Sequence, residues 1–132
     1  MPIDELHDIV ADWNRRRTEV ARLPTDRAGD WRQRTVRYRR LLQSDIAKLA
    51  IAIRALDDSE ATRADGRLFR AELSALRSCV AEHQATWPVV TIDPDDDEYN
   101  RSVVGLRAAN DRFAKASSDI LARLTRSGER RG

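Results

Sequence analysis

The chain has 132 residues, the length of one domain, with 35% charged and 41% hydrophobic side chains and only 5% aromatics. That balance excludes a disordered or all-β chain and leaves a helical domain able to bury a core without disulfide or metal staples. The formal net charge is only +2, and the longest nearly apolar stretch, 46–53, is interrupted by Lys48. Electrostatic roles therefore depend on where charges lie, and no stretch approaches the ~20 apolar residues of a bilayer crossing.

The start, Met1-Pro2-Ile3-Asp4-Glu5, is acidic and lacks the basic-then-apolar pattern of a secretory leader, so the expected location is cytoplasmic. The first element is an amphipathic helix over about 3–23, carrying Ile3, Leu6, Val10, Trp13, Arg17 and Val20 on one stripe and ending before Pro24. Arg17 is the odd member of that stripe.

The second helix is expected over about 30–57. Its stripe is Trp31, Thr35, Tyr38, Leu42, Asp45, Leu49, Ile53 and Leu56, and Asp30 with Gln33 offers a capping-box-like start after Gly29. Asp57, Asp58 and Ser59 make a break, with Ser59 as N-cap of a third helix over about 59–87. That helix carries Phe69, Leu73, Leu76, Val80, His83 and Trp87 on its buried stripe. Gly66 within it costs roughly 1 kcal/mol against alanine, which suggests a close helix contact or a later start. Cys79, the single cysteine, has no intrachain partner and reads as a small buried hydrophobe beside Val80.

The run Val89-Val90-Thr91-Ile92 is extended in character but too short and solitary for a sheet. Asp93 and Pro94 read as N-cap and first residue of a fourth helix, about 94–127, with Tyr99, Val103, Leu106, Asn110, Phe113, Ser117, Ile120 and Leu124 inward and a stop near Ser127-Gly128. Four helices with short connections make an all-α, antiparallel up-down-up-down four-helix bundle spanning 1–132 as one domain. Ile9, Leu41, Ile46, Leu68 and Leu121 widen the stripes to those of a globular bundle, while Val36, Ile51 and Val104 are surplus apolar residues available for a dimer contact.

In the simplest register one end gathers the unusual residues. Val20, Trp31, Trp87 and Tyr99 form an outer layer; Arg17, Thr35, His83 and Val103 lie one turn deeper; Trp13, Tyr38, Val80 and Leu106 follow. All three tryptophans thus go to one pole, around a histidine on a buried face. A structural account has His83 bonded to Thr35 or a backbone carbonyl, Arg17 stacked on an indole, and the layer fixing helix register. A functional account makes Arg17, Trp31, Thr35, His83, Trp87 and Tyr99 a pocket for an anionic or aromatic ligand. Asp45 and Asn110 read as structural polar residues of the core.

Arginine outnumbers lysine 22 to 2, a bias that a GC-rich coding sequence produces without selection for function. Arg32, Arg34, Arg37, Arg39 and Arg40, interleaved with Trp31 and Tyr38, are candidates for phosphate and base contacts, yet no nucleic-acid recognition module is visible. The opposing run Asp95-Asp96-Asp97-Glu98 is expected to neutralise these arginines across the pole and to favour the start of the fourth helix. It lacks the central glycine and ligand alternation of a calcium loop.

Two histidines at opposite ends, and no inward Glu-x-x-His pair, exclude a di-iron carboxylate site. Glu82-His83-Gln84-Ala85 lacks the basic and small neighbours of a phosphotransfer histidine. Cys79 and His83 are adjacent on one helix but lack a third orienting group. No cofactor and no metal are implied. The expected role is non-enzymatic: association with a protein partner or a second copy, followed by a small-ligand-binding bundle, then nucleic-acid binding through 15–40, with no membrane role.

Overall fold

The computed structural model describes residues 2–22, 30–56 and 60–131. These form α1 (Pro2–Arg22), α2 (Trp31–Arg54), α3 (Glu60–Thr86) and α4 (Asp97–Arg131), with a 3₁₀ turn, Val89–Thr91, before α4. The described residues contain no strand, and the helix contacts are those of a four-helix bundle: α3 with α4 most extensively, then α1 with α2, α2 with α3, and α1 with α4. No helix among them is long and apolar enough to cross a membrane. Contacts pair in opposite order along α3 and α4 (Asp65 with Arg123, Glu72 with Arg112, His83 with Ser102), so these two helices are antiparallel. His7 with Thr125 and Arg17 with Asp111 set α1 and α4 antiparallel in the same way.

The stripes read from sequence form the core. Leu42, Leu49 and Ile53 of α2, Leu56 just past its end, Phe69, Leu73, Leu76 and Val80 of α3, and Phe113, Ile120 and Leu124 of α4 are all buried. Of the flanking apolar residues, Ile46 and Leu121 join them, whereas Leu68 is exposed. Mid-bundle, Trp13 meets Phe113 edge-on at 5.1 Å and Phe113 meets Phe69 at 6.0 Å. Asp45, buried in the same region, takes a 2.8 Å ion pair from Arg16 Nε, which satisfies a carboxylate that would be costly alone.

Several boundaries differ from the sequence reading. At the start of α2, Asp30 makes no side-chain cap and pairs with Arg34 at 3.0 Å, because a guanidinium one turn on competes for the carboxylate. Asp93 is not the N-cap of α4: its Oδ1 accepts the Asp95 N–H in a local turn, and Asp96 is the cap, accepting N–H bonds from Glu98 (2.8 Å) and Tyr99 (3.3 Å). The stretch read as extended curls into the 3₁₀ turn, held by Thr91 N–H on the Pro88 carbonyl. At the other end α4 runs past Ser127 and Gly128 to Arg131. A Cβ on Gly66 would meet nothing within 4 Å, so neither close approach nor a later start accounts for that glycine. Cys79 is half-buried rather than enclosed. The expected end of the first helix at Leu23-Pro24, the place of the Val20 side chain, Gly29, and the break at Asp57, Asp58 and Ser59 lie outside the described residues.

Candidate functional site

The pole formed by the start of α2, the end of α3 and the start of α4 assembles as the stripes require. Tyr99 is its hub, with its ring 5.5 Å from Trp87, 5.9 Å from His83 and 6.3 Å from Trp31. Helix α3 ends with the Trp87 N–H on the His83 carbonyl, and Pro88 permits no further turn. That stop places Trp87 at the rim, one turn beyond His83.

The His83 side chain is 7% exposed and lies 2.7 Å from the Ser102 hydroxyl through Nδ1. Burial, reinforced by the nearby Arg39 guanidinium, lowers its pKa from the ordinary 6.5, so the imidazole is neutral at neutral pH. Arg39 is itself pushed down by burial, with Tyr99 opposing, and its Nη2 is enclosed with no hydrogen-bond acceptor. A serine within reach of an imidazole is the pair used in nucleophilic catalysis, where a carboxylate stabilises the imidazolium that forms. Here the charged neighbour is cationic and works against that imidazolium. The pair is therefore suited to a fixed hydrogen bond, not to proton abstraction.

Two expected members stand elsewhere. Arg17 pairs with Asp111 at 2.6 Å, bonds Asn14, and lies 5.2 Å from the Trp13 ring. It stacks on an indole as expected, but on the mid-bundle one. Trp13 meets Phe113 where the simplest register put Leu106, an offset of two turns, or about 10 Å. The third tryptophan is thus a core residue and not part of the pole. Thr35 returns its hydroxyl to the Trp31 carbonyl of its own helix, which leaves Ser102 as the partner of His83. Ser102 was findable: it follows Tyr99 by three residues, next to the Val103 position chosen for the stripe.

The arginine run 32–40 is not one free basic face. Arg32 donates to the carbonyls of Val89 and Ile92 (2.9 Å to the latter) and lies over the Trp31 ring at 5.7 Å, strapping the α3–α4 connection to α2. Arg34 is on Asp30 and Arg39 is half-buried beside His83, while Arg37 and Arg40 are exposed. Arg15, Arg16 and Arg17 pair away from the acidic run: Arg15 takes Asp12, Arg16 takes Asp45 and Arg17 takes Asp111. Asp93 and Asp96 turn to backbone N–H groups because a turn and a helix start leave those donors unpaired.

The feature that sequence reading missed is a groove of about 470 Å³ between α2 and α3. Arg54, Arg70 and Arg77 line it together with Ser74 and Ser78, and among the described residues no carboxylate does. Its apolar lining is Ala50, Ile53, Leu73 and Ala81. A smaller groove, about 260 Å³, lies between α1 and α4 around Val10, Trp13 and Ser118. Among the described residues no three His, Cys, Asp or Glu side chains cluster as a metal site. Comparison with known proteins finds no matching family model, no matching curated protein and no matching solved structure.

Proposed function

We propose that the chain is a protein-association module acting through the α2–α3 face. The observation that carries this reading is the groove: three exposed arginines beside the small apolar side chains of Ala50 and Ala81, with no carboxylate among the described residues that line it. Beside it on α2, Ile51 is 67% exposed, three residues before Arg54 and hence on the same helix face. An apolar side chain held in water next to unneutralised cations is what a partner surface leaves behind when the partner is absent. At the aromatic pole, in contrast, His83 is bonded to Ser102, and Thr35 and Arg32 to backbone carbonyls.

The test is site-specific photocrosslinking in cells that express the chain. A photoreactive side chain at Ser78, in the groove, is expected to give discrete protein adducts, and one at Ser118, in the α1–α4 groove, to give none. Adducts equal at both positions, or adducts to nucleic acid from Ser78, overturn the reading.

One observation supports a second reading, a small anionic ligand at the pole. The acceptor-free Nη2 of Arg39 beside neutral His83 would gain a partner from an anion. Quenching of Trp31 and Trp87 fluorescence by small carboxylates and phosphates, lost in Arg39→Gln, supports it; no response across them removes it.

A further inference from the structure

Four charged residues of α3, Asp65, Glu72, Arg70 and Arg77, are sorted by face. Asp65 and Glu72 point to α4, where Arg123 and Arg112 take them at 2.8 and 3.3 Å. Arg70 and Arg77 point the other way, into the groove shared with Arg54 of α2, and none of these three has an ion pair or hydrogen bond among the described residues. Asp65 and Glu72 are thus committed to α4, while Arg70 and Arg77 face α2. Three guanidinium groups around one groove repel each other, and an anionic occupant removes that cost.

From this sorting we infer that the groove seats an acidic amphipathic helix of a partner protein, an inference that rests on the association reading above. Arg70 and Arg77 are two turns apart, about 10 Å along α3, the spacing at which an approaching helix presents carboxylates at i and i+7. Ala50, Ser74, Ser78 and Ala81 are small, so another helix can come close to the backbones of α2 and α3. Ala50 and Ala81 in the groove, and Ile51 on its outer edge, meet the apolar stripe of the incoming helix. The arginines then set orientation and association rate while these apolar contacts supply affinity.

A phosphate backbone fits this lining less well. It would leave Ile51 uncovered, and no aromatic side chain in the groove offers a base a stacking surface.

The experiment selects helix-forming 20-residue peptides from a displayed library on the immobilised full chain, then measures binding of labelled selected peptides by fluorescence anisotropy. Expected are acidic peptides with Leu or Ile at helical spacing, whose affinity falls at least tenfold in Arg70→Glu/Arg77→Glu. The charge-matched control Arg101→Glu/Arg126→Glu is expected to retain binding, and circular dichroism melting to show every variant folded. Selected peptides without net negative charge, affinity unchanged in the groove variant, or equal binding of a 20-nucleotide single-stranded DNA overturns the inference. So does self-association in sedimentation velocity that is abolished by the groove variant, which would make a second copy the occupant. If the library yields no binder while protein adducts from Ser78 persist, the occupant is wrong and the association reading stands; if those adducts are also absent, both fall.

Discussion

Toward α4, helix α3 presents Phe69 to Phe113, His83 to Ser102, and Asp65 and Glu72 to Arg123 and Arg112. Toward α2, it presents Arg70 and Arg77 across from Arg54, with an open groove between. The first face is the most extensive helix contact of the described bundle and has a partner for each of these groups. The second has spare cations and spare volume. One helix thus carries paired carboxylates on the side toward α4 and arginines without ion pairs among the described residues on the side toward α2.

The sharpest way to break this comparison is to damage the cohesive face. Phe69→Ala is expected to cost about 3–5 kcal/mol, since it removes a fully buried ring from the Trp13–Phe113–Phe69 cluster, and denaturant midpoints measure it. A cost below 1 kcal/mol would mean that α3 and α4 are not packed as described.

Acid tests the same face through His83. Its pKa is lowered in the folded chain, first by burial and then by Arg39, so the unfolded chain binds more protons as pH falls below about 6.5. The stability contribution is therefore complete above that value and is lost as pH falls through it toward the folded-state pKa. Urea midpoints of the wild type are expected to drop between pH 7 and pH 5 by more than those of His83→Gln. Parallel profiles would place the imidazole in contact with water.

Smaller effects sharpen the comparison. Asp65→Ala is expected to destabilise by about 1 kcal/mol, the scale of a partly exposed pair, with much of the loss recovered as coupling in a double-mutant cycle with Arg123→Ala. Gly66→Ala is expected to stabilise by roughly 0.5–1 kcal/mol, because a helical glycine is replaced where a methyl group meets nothing. On the opposite face, Arg70→Ala with Arg77→Ala is expected to leave stability within about 0.5 kcal/mol of wild type. A clear loss there would give the groove arginines a structural role.

The stripes of α2, α3 and α4 were legible because their burial follows helical spacing, and even the polar members Asp45, His83, Asn110 and Ser117 fall inside as the periodicity placed them. What was not legible is axial position. A stripe fixes which face turns inward but lets a helix slide by whole turns, and that freedom moved Trp13 from Leu106 to Phe113 and took Arg17 away from His83. The wrong partner for the imidazole, Thr35 in place of Ser102, follows from the same freedom combined with the readiness of a threonine hydroxyl to bond its own helix. The groove was hidden for another reason: Arg70, Ser74 and Arg77 lie outside every apolar stripe and look like ordinary solvated residues. Only the three-dimensional pairing shows that Asp65 and Glu72 of the same helix are taken by α4 rather than by these arginines.

The strap from Arg32 to the carbonyls of Val89 and Ile92 makes one connection depend on a helix distant in sequence. Val90, 84% exposed at the tip of that connection, is the kind of residue a protease engages once the backbone yields. Losing the guanidinium in Arg32→Ala would turn the segment into the preferred site of limited digestion. The extensive α3–α4 interface would then hold the two fragments together, so a chain nicked there would migrate as two bands under denaturing conditions and as one species in native buffer.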